Sequence, residues 1–452
     1  LKLGAIFGAM FAATIGIAII LHKPKPKPPP TAVARDVYPR VAMYSWQFSN
    51  GAPFWSGGVM DSALVREQAM WDWVLLDVAA PGTPGNKTLR YLRSLNPGMR
   101  LYAFSPAGTF HACVECYDGG EVPYGCDTSG TNYLWARWRA IRQHNAVLYS
   151  SVTGGNYRGY GCGYVDLAKP GIAVALADTF VRWADPSIFT DLFADEICQG
   201  ITWTQNLGDK IDYVRSGYAS LADWDRAYKA GVTAYFARLR EQAPGLPVCG
   251  NCGPRGDSTA NAWMNENWPY QPGESVQHYL ASEHYYNQPT RNLLTTWRSS
   301  ANQQDPYNVK HQRLVMAVAT LGSGAGSLTG SIQDNARGYL PWWWDEYAVT
   351  PKGVAVKDVR FKGWLGAPRD TAQVLARDTV QGVPTPVLFR RDFENGAVFV
   401  NMRRVPVTLY TGGGLWRIFG TVTPSVNNGA TASSLTVPGQ DAVFLVRRRG
   451  PQ

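Results

Sequence analysis

Histidine is scarce, with six in 452 residues, and His111, His144, His278, His284 and His311 fall at no ligand-like spacing. A metal-dependent hydrolase gathers His and carboxylates at shared strand ends. That class is set aside, and neither a metal nor another cofactor is expected. Missing too is a glycine-rich loop after any apolar strand, which removes the nucleotide- and dinucleotide-binding open sheets. Charged residues are few, 17% against 45% apolar, a balance that excludes a disordered chain. The net charge of +9 is no nucleic-acid signal. Most of it sits at the two ends, on Lys2, Lys23, Lys25, Lys27, Arg447, Arg448 and Arg449, and the body has no basic groove interleaved with aromatics. No nucleic acid is expected as a partner; the terminal charge suits lipid headgroups or acidic partners.

What is abundant is aromatic surface and turn residues: 17 Trp, 46 Gly and 30 Pro. The Trp excess reads as core filling or, where it falls in loops, as stacking platforms for sugar rings. The N-terminus is different again. Residues 3–21 form an uncharged apolar run, which as a helix spans about 28 Å, roughly the hydrocarbon thickness of a bilayer. It ends in a Lys/Pro stretch, an extended spacer and not a cleavage site. Residues 1–22 are therefore expected to be a transmembrane anchor helix and 23–38 a stalk. Gly4, Gly8, Ala12 and Gly16 recur every four residues, a spacing that permits close approach of another transmembrane subunit, although Gly and Ala are common in membrane helices anyway. The lysines after the run favour the cytoplasmic side on charge alone.

From residue 40 onward apolar strands alternate with helical stretches. Strands are expected at 41–46, 73–78, 100–105, 188–193, 246–251, 262–266 and 279–285, with a final helix–strand unit over 312–329. Helices are expected at 62–70, 86–95, 132–144, 171–184 and 221–242. About eight such units predict an α/β fold, a (β/α)8 TIM barrel over 39–370. After residue 370 short strands separated by Gly, Pro and Asn turns predict a small antiparallel β-sandwich domain, 371–452.

A barrel brings the C-terminal ends of its strands to one site. Asp195 and Glu196 end the fourth expected strand, Glu266 ends the sixth, Glu283 lies on the seventh and Asp77 on the second. Glycoside cleavage needs two carboxyl groups, one protonated to donate to the leaving oxygen and one ionised to attack or to activate water. Each residue also has a plain structural reading. Asp195 could cap a helix or pair with Arg, Glu196 could be a solvated loop residue, Glu266 could hold its loop, and Glu283 could pair with His284. Asp345-Glu346, after three Trp, could be a barrel-to-sandwich contact.

Several stretches carry a family resemblance: Tyr164 to Pro170, Phe189 to Trp203, Asn251 with Asn265-Glu266, Trp343 to Tyr347, Gly363 to Pro368, and Arg390 to Asn401. In order over about 40–445 they resemble bacterial glycoside-hydrolase families related to the α-galactosidase and α-amylase type of barrel. The resemblance implies Asp195 as nucleophile or base and Glu266 as general acid. It departs at Asp185-Pro186-Ser187, where Asp-Gly is expected, and at Met264-Asn265, where Asn-Gly is expected. A glycan is then the expected ligand, with Asp77, Glu196, Trp46, Trp203, Trp268, Glu283 and Tyr285 as binding residues. The rival expectation is an inactive barrel serving as a structural or glycan-binding subunit of a membrane or cell-surface assembly.

The seven cysteines, Cys113, Cys116, Cys126, Cys162, Cys198, Cys249 and Cys252, map to loops after strands three, four and five. Two C-x-x-C pairs stand too far apart for a zinc ribbon, so disulfides are favoured over metal ligation or free thiols. Cysteine usage and the family together place the globular part outside the cytoplasm, periplasmic or at the cell surface.

Overall fold

The computed structural model describes residues 37–43, 62–78, 82, 84–110, 133–159, 163–251, 260–266, 276, 279–280, 292–297, 299–300, 302–329 and 342–447. Strands β1 (Ala42–Met43), β2 (Trp73–Asp77) and β3 (Arg100–Pro106) open the main sheet. A short antiparallel pair, β4 (Thr109–Phe110) and β5 (Gly163–Tyr164), is inserted after β3. The main sheet is completed by β6 (Asp191–Asp195), β7 (Val248–Asn251), β8 (Ala262–Asn265), β9 (Leu293–Trp297) and β10 (Ala325–Thr329). All eight are parallel and in chain order, and a parallel bridge from Val41 to Gly326 joins the last strand back to the first. The result is an eight-stranded barrel.

Side-chain alternation sorts the strands into two faces. Trp73, Leu75, Tyr102, Phe104, Phe193, Cys249, Met264, Leu293 and Ala325 form one buried cluster, the barrel interior. Their neighbours Val74, Leu76, Leu101, Ala103, Leu192, Val248, Leu294 and Leu328 belong to the core between strands and helices. At the N-terminal end of the interior, Arg100 donates to both carboxylate oxygens of Asp191.

The helices are α1 (Ser62–Gln68), α2 (Pro84–Leu95), α3 (Tyr133–Gln143), α4 (Ile172–Trp183), α5 (Leu221–Gln242) and α6 (Pro306–Leu321). On α5, Ser220 caps the N-terminus by accepting from the Asp223 N–H at 3.1 Å. On α6, Asp305 caps and Pro306 takes the first position, where a missing N–H costs nothing. From His311 to Leu321 every side chain of α6 is buried, because sheets cover it from two sides.

The second of those sheets is C-terminal: β11 (Gln373–Val380), β12 (Val383–Phe393), β13 (Gly396–Asn401), β15 (Trp416–Arg417) and β17 (Asp441–Val446), antiparallel in the order β11-β12-β13-β17-β15. A separate pair, β14 (Val407–Tyr410) and β16 (Ser434–Val437), forms its second layer. Ala397, Phe399, Val443 and Leu445 pack on Leu435 and Val437 of that layer. The opposite face, with Val398, Val400, Ala442 and Phe444, joins the core shared with α6. Arg313 of α6 crosses the junction and grips Asp441 through Nε at 2.9 Å and Nη2 at 2.6 Å. Asp345 accepts the N–H groups of Thr421, Val422 and Thr423 at 3.1, 3.2 and 2.9 Å, which makes Asp345-Glu346 the barrel-to-sandwich contact. Gly420 admits that approach, since a Cβ there would stand 2.2 Å from the Asp345 carboxyl carbon.

Three expectations need correction. The seventh strand is Leu293–Trp297; of the expected strand 279–285, Tyr279 and Leu280 are helical and the remainder lies outside the described residues. Tyr279 is claimed by tertiary contacts, its hydroxyl donating to Ala319 O and accepting the Gly324 N–H, both at 3.2 Å. The fourth strand starts at Asp191, because Asp185 folds residues 185–189 into a turn by accepting from Ser187 N and Oγ. Cys249 is not in a loop: it lies on β7, facing the barrel interior as a buried free thiol. Burial pushes that thiol far above its ordinary range. Cys198 is disulfide-bonded; the other five cysteines lie outside the described residues. Among the described residues no helix is long and apolar enough to cross a membrane, and the expected anchor with Gly4, Gly8, Ala12 and Gly16 lies outside them.

Candidate active site

Asp195 is the last residue of β6, on the same strand face as Asp191 and the inward-facing Phe193, and it is buried. Asn251 ends β7 on the same interior face as Cys249, and Glu266 follows β8 two residues after the interior Met264. The three side chains therefore converge at the C-terminal mouth of the barrel. One atom ties them together. Nδ2 of Asn251 donates to Asp195 Oδ1 at 2.7 Å and to Glu266 Oε2 at 3.0 Å. Two oxygens within reach of one nitrogen cannot be far apart, and these distances hold them within about 6 Å of each other, against the ~5–5.5 Å and ~6.5–9.5 Å carboxyl separations of the two glycosidase geometries.

Glu196 joins the group through its backbone. Its φ of 52° is left-handed, an uncommon setting for a side chain with a Cβ and one that tertiary contacts must hold in place. The contacts are visible. Its N–H donates to Asp195 Oδ1 at 3.0 Å, and Thr109 donates its hydroxyl to Glu196 Oε2. Gly108 lets the β3 loop pass close by, since a Cβ there would sit 1.8 Å from the Glu196 carbonyl oxygen. Beneath this loop the buried Arg137 of α3 donates Nη2 to the carbonyls of Ala107 and Thr109, at 3.1 and 2.6 Å.

Three carboxyl groups in a desolvated pocket cannot all stay charged. Asp195 is pushed well above the usual carboxylate range, by burial first and then by the charges of Glu196 and Glu266; the Asn251 amide and the Glu196 N–H oppose this. Glu196 is pushed up to about 7 by burial and by Glu266, with Arg137 opposing. Glu266 is raised by burial and held back by Asn251. The three groups thus hold their protons more tightly than free carboxyl groups do.

The remaining expected residues divide. Trp203 is half exposed on the 3-10 turn Thr202–Leu207, in the connection that leaves Asp195, at the same end of the barrel. Asp77 ends β2, and its side chain is outside what the structure describes. Trp46, Trp268, Glu283 and Tyr285 lie outside the described residues. Sequence reasoning missed Thr109 and Arg137, which carry no spacing signal, and gave Asn251 no role although its place at a strand end was readable. The Tyr164 to Pro170 motif is scaffold: Asp166 is fully buried and accepts from the Trp224 indole at 3.0 Å on α5.

No protein-family model and no curated protein matches the chain. Solved structures do. The glycoside hydrolase domain of PelA from Pseudomonas aeruginosa is 16% identical over 62% of this chain and 93% of that one, with a TM-score of 0.37. The maltogenic α-amylase AmyB from Thermotoga neapolitana is 12% identical over 91% and 98%, with a TM-score of 0.46. The GH36 α-galactosidase AgaA from Geobacillus stearothermophilus is 9% identical over 92% and 56%, with a TM-score of 0.43. The likeness is one of fold.

Proposed function

We propose that the chain is a glycoside hydrolase that cleaves O-glycosidic bonds of a polysaccharide or glycan through Asp195 and Glu266. The observation that carries this reading is the Asn251 amide donating to both carboxylates, which brings an oxygen of each within about 6 Å of the other at the barrel mouth, and we take that closeness as favouring retention. In the first step Glu266 gives its proton to the leaving oxygen while Asp195 attacks the anomeric carbon. In the second, Glu266 takes a proton from water, which displaces Asp195 and releases the sugar with its configuration kept. Asp195 has to be ionised to attack, and the two N–H bonds it accepts favour its charged form against the burial and the neighbouring charges that raise it. Glu196 binds substrate hydroxyls beside them, and Trp203 stacks on a sugar ring further out.

Around this centre we place the barrel at 39–370, the sandwich at 371–452, and a tether at 1–22 that holds both outside the cytoplasm. The support for the tether is the uncharged run 3–21 with its Lys/Pro stalk. Disulfides stapling the mouth loops suit that compartment. The family departures at Asp185-Pro186-Ser187 and Met264-Asn265 favour a second reading, a non-catalytic glycan-binding or structural subunit.

The test is hydrolysis of a broad glycan panel by the full chain, beside Asp195→Asn and Glu266→Gln. A fall of about 10²–10⁴ in both folded variants is expected. Hydrolysis that survives both substitutions refutes the pair, and a wild-type chain inert on every glycan transfers the case to the second reading.

A further inference from the structure

The second site lies at the other end of the barrel. Lys362 bonds the Asp72 carboxylate at 2.6 Å, and Asp72 immediately precedes β2; Tyr38, just before β1, bridges to Trp364 and Gly366. These contacts mark the N-terminal ends of the strands, opposite the mouth that holds Asp195. There a cavity of about 230 Å³ opens between the barrel and the end of β17. Its wall includes Arg360, Lys362 and Arg447, the rings of Phe361 and Trp364, and the Asn395 amide, and no carboxylate lines it.

The charges differ in how far they are used. Lys362 is committed to Asp72, and Arg360 is largely exposed in a fork with Asp358. Arg447 is the unspent one. Its Nε is buried without a partner, and its ion pair with Asp392 is a long one, 3.8 Å from Nη2. That carboxylate is already gripped by Arg390 at 2.6 and 2.9 Å. The Arg447 guanidinium with two flanking cations forms a receptor for a tetrahedral oxyanion, the Asn395 amide being held by the Trp364 carbonyl at 3.1 Å, while the rings accept an apolar or sugar-like remainder. The basic run Arg447-Arg448-Arg449 begins at this wall.

We propose that this cavity is an anion site that binds a phosphate group, either of a soluble phosphate ester or of a phospholipid headgroup. It is independent of the glycosidase reading, since none of its residues touches the carboxylate cluster.

The test is calorimetric titration of the full chain with inorganic phosphate and with glycerol 1-phosphate at fixed ionic strength. It runs beside co-sedimentation with phosphatidylglycerol/phosphatidylcholine vesicles and with pure phosphatidylcholine vesicles. One phosphate per chain is expected, weakened about tenfold or more in Arg447→Gln and in Arg360→Glu, as fits the loss of one charge-assisted contact. Arg360 is exposed, so its variant keeps the test alive if Arg447→Gln fails to fold. Binding of the soluble esters without a vesicle preference assigns a soluble ligand. A preference for anionic vesicles that Arg360→Glu abolishes assigns the lipid. Phosphate affinity unchanged in both variants, or no phosphate binding and no vesicle preference, overturns the site.

Discussion

Two groups of buried carboxylates stand in one molecule, and they are built to opposite plans. At the junction of barrel and sandwich, Asp345 accepts three backbone N–H groups and Asp441 is held by both arms of Arg313. At the barrel mouth, Asp195, Glu196 and Glu266 have one shared amide, one hydroxyl and one backbone N–H among the bonds that hold them, and Arg137, the cation that opposes their repulsion, spends its Nη2 on two carbonyls. Polar burial in a stable core is normally satisfied or absent. Asp345 and Asp441 obey that rule, although Glu346 beside them leaves Oε2 buried without a partner. The mouth differs in crowding three carboxyl groups around one amide, and like charges held together are what general acid–base chemistry uses.

The sharpest break in this comparison comes from the junction. Arg313→Met removes the cation from Asp441 and is expected to cost about 3–5 kcal/mol in a denaturant melt, the usual loss when one partner of a buried pair is removed. Glycan turnover in the folded fraction should remain. A melt unchanged within error would mean that the junction is as loosely held as the mouth.

Asn251→Ala addresses the mouth. Because the amide favours the charged forms of Asp195 and Glu266, its loss should move both limbs of the pH–rate profile upward and lower kcat by about tenfold to a hundredfold at neutral pH. A profile that stays in place would detach Asn251 from the pair.

Glu196→Gln should act in the reverse direction. Glu196 raises Asp195 by repulsion, so neutralising it moves the limb governed by Asp195 downward. Stability gives the same variant a second readout. The folded pKa of Glu196 lies near 7, above its unfolded value near 4.5. The folded state therefore binds more protons between those values, and wild-type stability falls as pH rises from about 4.5 to 7. The variant lacks that loss. It should melt higher than wild type at pH 8 and level with it at pH 4. An equal gap at both pH values would show that the gain is not electrostatic.

Trp203→Ala carries the smallest expected effect. The indole is half exposed, so the melting temperature should barely move, while KM for a glycan rises a few-fold with kcat kept. A change in kcat alone would remove the stacking role.

Much of the barrel was legible because its signals are local. Alternating apolar runs and helical stretches mark the units, and α5 falls on the expected residues 221–242. The seventh strand was not legible. Tyr279 and Leu280 have the apolar character of a strand, yet contacts with α6 and the start of β10 hold them in a helix. The strand falls instead on Leu293–Trp297, where two threonines thin the apolar signal.

By itself the sequence determined the order of strands and helices, the change of texture after residue 370, and the placing of Asp195 and Glu266 at strand ends. These depend on side-chain periodicity and turn chemistry, which neighbours in the chain already specify. Tertiary structure alone decided that one nitrogen of Asn251 serves two carboxylates, that Gly108 and Thr109 pin Glu196 in a left-handed turn, and that Arg313 grips Asp441 across the junction. Each of these is a meeting of residues far apart in the chain. It is set by barrel closure and by how closely two backbones approach, and no spacing along the sequence records it.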